Sequence, residues 1–384
     1  MPKVHDRVLL VLCGLGLAVV FWGGFLNCAP NRLATGVAYP LSQAPALEAA
    51  AAMTGLCGLG LLSFARRQKF RSFATIMAAT LILWGSFAGA GQFAALLMQA
   101  SPPAARISLG PAFWTLASVA ILAIVDAVQR GTFGFPARAC IGAAFCAGFF
   151  LMAAAGDFDN LSLAREFWNN RGIFGRELLH HLGLVCAATL LALMIGGPLT
   201  ILVLRKKAVA GFVFASLGIL QTIPSIALFG VLIAPLSKLS EELPFLRGLG
   251  ISGTGPAPAV IALTLYSLLP LVRTFHTGLS EVAMEVKEAA AAIGFGARQK
   301  FVAVELPLAL PALLSGLRVV TVQAIGLASV AALIGAGGLG TFIFQGIGQY
   351  ALDLVLVGAL PVILLALLAN FIFDMLLGLA RRRL

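Results

Sequence analysis

Residues Thr274 to Leu306 read TFHTGLSEVAMEVKEAAAAIGFGARQKFVAVEL, a charged, alanine-rich stretch set between two apolar runs, Ala257 to Val272 and Leu310 to Ile334. Ser280 has the side chain of a helix N-cap, Glu281 suits a first turn, and Gly294 can take the left-handed backbone that ends a helix. Val282, Val286, Ala289 and Ile293 recur at i, i+4, i+7 and i+11, which predicts one apolar stripe; Glu281, Glu285 and Glu288 form a second, acidic one. A short basic helix from Ala297 to Glu305, carrying Arg298 and Lys300, then reaches Pro307, which is expected to end it. Two short helices joined at a glycine and held between apolar runs predict a rigid knob at a membrane face. A solvated amphipathic loop would show the same residue pattern.

Outward from this stretch the chain is a succession of apolar runs. A spanning helix needs about 20 residues, and runs of this kind lie at Val8 to Leu26, Leu47 to Phe64, Phe73 to Leu97, Ile107 to Val125, Ala139 to Ala155, Leu178 to Leu204, Val209 to Leu232, Ala257 to Val272, Leu310 to Ile334 and Leu354 to Leu379. They predict an all-α polytopic membrane protein with about ten transmembrane helices. Composition agrees: of 384 residues only 11% are charged and 60% are hydrophobic, against roughly 25% charged in soluble domains. An ordinary cytosolic enzyme, a disordered chain, a collagen and a small disulfide scaffold are all excluded. Five of the six cysteines fall inside apolar runs and Cys28 at the edge of one, so they behave as small hydrophobes. Lys3 and Arg7 before Val8 to Leu26 could open a signal peptide. That run is longer than a signal h-region and Phe25-Leu26-Asn27 lacks the small residues of a cleavage site, so it is expected to stay as a first span.

Orientation follows from Lys and Arg. Alternate loops placed on opposite sides put nineteen of the 26 on one side, among them Arg66, Arg67, Lys69, Arg205, Lys206, Lys207, Arg298 and Arg381, and seven on the other. The positive-inside rule makes the first side cytoplasmic, with both termini and the knob on it. The net charge of +11 then reflects topology and anionic headgroups, with no nucleic-acid partner. The polar segment 156–177, with Asp157, Asp159, Glu166 and Arg171, divides an additional N-terminal transmembrane region (1–155, about five spans) from a second set of about five spans (178–384).

Within the knob, Glu288-Ala289-Ala290, Gly294, Val304 and Leu306-Pro307 resemble, position for position, the coupling-loop signature of permease subunits in bacterial binding-protein-dependent ABC importers. Val304 stands where isoleucine is usual, a nearly isosteric departure. Gln221-Thr222-Ile223-Pro224-Ser225, Leu265 to Pro270, and Ala332-Leu333-Ile334-Gly335-Ala336-Gly337-Gly338-Leu339-Gly340 resemble the glycine betaine/choline (osmoprotectant) permeases over about Leu178 to Leu379. The leading region resembles that of an extended permease of this kind. The resemblance implies an inner-membrane subunit that is no enzyme and binds no cofactor, with ATP bound by a separate ATPase subunit that receives the knob (274–306). It further implies a periplasmic substrate-binding protein and a second permease subunit, identical or paralogous. An amino-acid or methionine-type importer permease is the alternative inside this class; a secondary transporter acting alone is the alternative outside it.

Rival motifs are weak. Gly335 to Gly340 and Gly248 to Gly253 match dinucleotide-binding letters, but neither follows a strand of a βαβ unit; glycines there are expected to break helices and let a segment turn back while buried in protein. No lysine follows a glycine, so the chain has no phosphate loop of its own. His180 and His181 open a span and read as interfacial anchors, with no metal-ligand spacing. Arg318 and Asp374 lie in spans near enough to a face to snorkel, and the acids that a proton-coupled carrier would want at mid-membrane are missing. A translocation path is expected among Val209 to Leu232, Ala257 to Val272 and Leu310 to Ile334. Those runs carry Pro224 and Pro270 and the polar residues Gln221, Thr222, Ser225, Tyr266, Ser267, Thr321 and Gln323, which are costly against lipid. Tyr266 could also offer its ring face to a quaternary ammonium, or simply pack. The orientation has a direct check: a single cysteine at Arg298 should react with a membrane-impermeant thiol reagent in inverted vesicles and stay unreactive in intact cells.

Overall fold

The computed structural model describes residues 4–32, 34–131, 133–248 and 250–382. Lys3 and Arg383, which enter the orientation count, lie outside them. The chain forms two compact units, Met1–Asn169 and Asn170–Leu384.

The first unit holds α1 (Arg7–Trp22), α2 (Ala46–Leu62), α3 (Gln68–Gln99), α4 (Pro111–Arg130) and α5 (Phe135–Ala154). It also holds a small sheet absent from the all-helical reading: β1 (Leu26–Ala29) pairs antiparallel with β2 (Val37–Tyr39) on one side and β3 (Arg106–Leu109) on the other, with Leu26 opposite both Tyr39 and Leu109. Ile107, expected to open the fourth span, therefore lies in a strand, and the helix begins at Pro111, whose fixed φ and missing N–H suit a first helical turn. The strands satisfy backbone groups that would otherwise be left bare where α1 and α3 end. Phe25, Leu26, Leu56, Leu59, Ile82, Ile107, Phe113 and Leu116 are fully buried in the common core. Helices α2 and α3 touch through glycine: a Cβ on Gly55 would stand 2.5 Å from the Ala78 carbonyl oxygen, and one on Gly85 2.9 Å from that of Glu48. Small residues allow the close backbone approach that holds helices together in lipid.

Two carboxylates tie this unit at its polar ends. The Asp6 side chain accepts the N–H groups of Val8 and Leu9 at 3.1 and 3.4 Å, capping α1, and its second oxygen faces Arg71 Nε at 3.6 Å and Arg130 Nη1 at 3.4 Å. Glu166, equally buried, pairs with Arg32 and with Arg106, the latter at 2.8 Å.

A long helix, α6 (Ser162–Arg205), carries the boundary between units. Its 44 residues make about 66 Å at 1.5 Å per residue, twice the roughly 30 Å hydrocarbon core, so much of it stands outside lipid. Beyond it come α7 (Lys207–Thr222), α8 (Ser225–Glu242), the single turn α9 (Phe245–Gly248), α10 (Pro256–Ser280), α11 (Met284–Ala292), α12 (Ala297–Lys300), α13 (Leu306–Ala328), α14 (Gly340–Gly348) and α15 (Leu352–Arg381). Helices α10 and α13 pack through Gly278 and Gly316, whose added Cβ atoms would stand 2.5 Å from Ala312 Cβ and 2.9 Å from Thr274 Cβ.

Each of the ten expected runs falls mostly on helix, yet only six helices among the described residues are long and apolar enough to cross a membrane: those at Gln68–Gln99, Pro111–Arg130, Ser162–Arg205, Pro256–Ser280, Ala297–Ala328 and Leu352–Arg381. The seventh run, expected as one span, is two helices, α7 and α8, bent by 100°. Pro224 lacks an N–H and pushes Ile223 into extended backbone, φ −71° and ψ 126°, so the helix cannot continue. Helices α1, α2 and the apolar part of α5 are shorter.

Asp6 supports a stability test. Asp6→Ala removes a cap, about 1 kcal/mol, and leaves Arg71 buried without its carboxylate, so the loss should reach about 3 kcal/mol. Asp6→Asn keeps the cap and should lose roughly 1 kcal/mol less. Thermal unfolding of the purified full chain in detergent reads both.

Candidate functional site

The stretch between α10 and α13 forms a knob built on backbone geometry. Helix α11 ends at Ala292 with Gly294 left-handed at φ 93°; the Phe295 N–H reaches the Ala290 carbonyl at 3.1 Å and the Gly294 N–H that of Ala291 at 3.0 Å, a Schellman closure. A glycine serves there because a Cβ would strain that backbone, though nothing lies within 4 Å of where it would be. Ser280 is not the cap: it is the last residue of α10, and Ala283 stands at the start of α11. Nor does Pro307 end a helix. The backbone widens into a π turn over Phe301–Glu305 and runs on into α13, the added residue easing the clash of the proline ring with the carbonyl four residues back.

The knob has an inner and an outer face. Val282, Phe301 and Leu306 are half-buried against Leu271, Phe275, Leu279 and Leu313, Ala290 is buried, and Lys287 Nζ donates to the Leu279 carbonyl at 3.3 Å. Met284 and Ile293 are 64% and 73% exposed beside Val286, Phe295, Glu281, Glu285 and Glu288. The predicted apolar stripe thus divides, with Val282 turned inward and Val286, Ala289 and Ile293 outward. Of the signature positions, Glu288, Ala289, Gly294 and Pro307 are exposed, Val304 and Leu306 half-buried and Ala290 buried. An apolar patch ringed by carboxylates is suited to a partner with a complementary cleft and basic side chains.

The polar residues expected along a path are brought together in part. Gln221 Nε2 donates to the Tyr266 carbonyl at 2.9 Å, and the Tyr266 hydroxyl donates to the carbonyl of Ile223 at the α7–α8 break. Thr222 and Ser225 flank that break, Thr222 exposed and Ser225 half-buried. Tyr266 is buried in the core with Phe229, Ala259 and Leu263, so its ring packs. Ser267 is buried and donates to Leu263 within α10, while Thr321 donates to Leu317 within α13; Thr321 and Gln323 are half-buried on that helix.

Sequence reasoning missed a cluster within α6, at Glu177 and His181. His181 is fully buried, no interfacial anchor, with Nε2 3.0 Å from the Ile325 carbonyl of α13. Glu177 is buried too and accepts the Gly338 N–H at 2.8 Å. The signal was the acid and histidine pair ahead of an apolar run, which pattern alone cannot separate from a wet helix end. Arg318 and Asp374, expected to reach the interface singly, pair with each other at 2.6 Å. Among the described residues no group of three or more His, Cys, Asp or Glu is placed to hold a metal ion.

Residues 188–384 match the family model described as binding-protein-dependent transport system inner membrane component, and residues 6–164 match that of the ABC transporter permease YehY, N-terminal domain. The chain is 39% identical over 206 residues to the osmoprotectant import permease protein OsmW of Salmonella typhimurium, covering 54% of this chain and 91% of that protein. It is 35% identical over 214 residues to the choline transport system permease protein OpuBB of Bacillus subtilis, covering 55% and 89%. The solved inward-facing MetNI methionine ABC transporter aligns at 22% identity with a TM-score of 0.47, covering 55% of this chain and 97% of that one. With the matched family model spanning half of its length, the chain belongs to the inner membrane components of binding-protein-dependent transport systems, as a multi-pass permease that carries a YehY-type N-terminal domain ahead of the permease region.

Proposed function

We propose that this permease passes osmoprotectants of the betaine and choline type across the inner membrane, driven by ATP hydrolysis on a separate ATPase subunit. One observation carries the solute class: the likeness to OsmW extends over 91% of that protein, so it embraces the whole permease region. In this reading the region 178–384 is the permease core and 156–177 a periplasmic linker. Residues 1–155 form an additional membrane region concerned with packing or regulation. Both termini face the cytoplasm.

The knob 274–306 is the coupling element. Its exposed face, with Met284, Ile293 and Glu288, enters a cleft on the ATPase, and its half-buried roots on α10 and α13 carry the movement into the spans. Selectivity is shared with a periplasmic binding protein that delivers the solute, and a second permease subunit, identical or paralogous, completes the pathway. The path itself runs beside the α7–α8 break and α10, where Gln221, Thr222, Ser225 and Ser267 supply polar groups, with Thr321 and Gln323 on α13. Tyr266 contributes by holding the broken helix open, through its bond to the Ile223 carbonyl.

Three outcomes are expected. Deletion of the gene should abolish uptake of labelled betaine that plasmid-borne gene restores; undiminished uptake of betaine, choline and carnitine in the deletion strain would refute the solute class. Gly294→Val places a β-branched residue in left-handed backbone, at roughly 1–2 kcal/mol, and should cut uptake at least about tenfold with membrane insertion intact, whereas Gly294→Asn, which tolerates that backbone, should keep most of it. Gln221→Ala removes the donor to the Tyr266 carbonyl of α10 beside the break and should lower the maximal uptake rate severalfold, read by initial-rate measurements at saturating solute.

A further inference from the structure

Helix α14, nine residues long, spans about 13.5 Å and cannot cross a bilayer. It lies at the end of the second unit opposite the knob, because α13 leaves the knob at Leu306 and reaches the glycine turn before α14 after Ala328. The turn is made for close approach. Gly335, Gly337 and Gly338 have φ of 78°, 73° and 86°, and a Cβ on Gly337 would stand 3.1 Å from Glu177 Oε2 and 3.0 Å from His180 Nδ1, while one on Gly338 would stand 3.3 Å from His181 Nδ1.

Glu177 does what α14 cannot do for itself. The residue before α14 is Leu339, with no side chain able to cap, and the glycine turn that leads into the helix is held at Gly338 by a carboxylate 161 residues earlier in sequence. One Glu177 oxygen accepts the Gly338 N–H at 2.8 Å and the Thr341 hydroxyl at 3.5 Å; the other faces Arg176 at 3.5 Å. Burial strengthens such a bond, and the helix N-terminus favours the negative charge. Two further contacts run alongside. His181, with its Nε2–H directed to the Ile325 carbonyl, ties α6 to α13, and Phe174 of α6 stacks on the buried Phe342 of α14 at 5.9 Å between ring centres. A turn held by a side chain of another helix loses that bond whenever the two separate, so the glycine turn and the start of α14 report, and resist, movement of α6.

We propose that Glu177 is a positioning residue of the transport cycle: it latches the glycine turn and α14 against α6 at the end of the permease away from the ATPase, and its release accompanies opening of that end to solute. This rests on the transport reading above. The test uses the full chain with its importer partners in native membranes, the six native cysteines replaced and Ala336→Cys added; Ala336 is 1% exposed within the turn. A membrane-impermeant maleimide applied from outside should label Cys-free controls not at all and the Ala336→Cys protein slowly. Adding Glu177→Ala should speed labelling about tenfold or more, the change expected on losing a hydrogen bond to a charged group, with Glu177→Gln intermediate and Thr341→Val about twofold. Solute uptake should fall in step with faster labelling, while ATP hydrolysis by the assembled importer persists, a split that loss of structure alone would not give. Unchanged labelling in Glu177→Gln and Thr341→Val overturns the latch, and so does a parallel loss of ATP hydrolysis and membrane level. If labelling responds to Glu177 but deleting the gene leaves betaine uptake intact, the solute reading fails and the latch stands.

Discussion

Hydrocarbon offers no hydrogen-bond partner, so every backbone N–H and C=O at membrane depth must be satisfied from within the protein, at several kcal/mol for each that is not. That constraint makes the chain helical, and it singles out the places where helices break. Each such place carries an identifiable supplier. The Ile223 carbonyl, exposed by Pro224, takes the Tyr266 hydroxyl. The Gly338 N–H takes the Glu177 carboxylate. The turn after α1 is closed by strand pairing, with the Gly110 N–H on the Phe25 carbonyl at 2.8 Å. The proposed functional geometry is assembled from these repairs, since a broken helix is where polar groups can stand inside a membrane protein at tolerable cost.

Legibility in the sequence follows the range of the interactions. Apolar runs of twenty residues announce helices because the cause lies within the run, and Gly294 was readable as a helix end because left-handed backbone selects glycine locally. The bend at Pro224 was half-readable: proline is visible, but whether it kinks or splits a helix depends on Tyr266 of α10 reaching across to Ile223 and on Gln221 of α7 reaching back to it. Ser280 misled because capping preference is weak beside the packing that carries α10 through it, and Pro307 because a π turn absorbed the conflict. The three strands were invisible for a different reason. Four residues such as Leu-Asn-Cys-Ala carry no periodicity, and their pairing with residues some eighty positions away is a tertiary fact.

The same distinction explains the charged residues. Asp6, Glu166 and Glu177 look alike in sequence, as acids outside the apolar runs, yet all three are buried and each is matched by arginine or backbone N–H groups. Asp6 and Glu166 fasten the polar ends of the N-terminal unit to arginines of other segments, a device that fixes geometry more than it adds net stability. The knob inverts this economy. Its carboxylates at Glu281, Glu285 and Glu288 stay exposed and its large apolar side chains, Met284 and Ile293, face outward, the arrangement of a surface that awaits a partner.

The central claim is that this outward face engages an ATPase subunit. The most direct measurement is purification of the full chain from native membranes in mild detergent, with ATP hydrolysis assayed in the isolated assembly, for the natural chain and for Met284→Asp with Ile293→Asp. The account predicts that an ATP-hydrolysing subunit travels with the natural chain and is lost from the double variant, whose own yield is unchanged. It would be contradicted if the natural chain purified free of ATP hydrolysis and still concentrated solute in vesicles energised by an ion gradient alone.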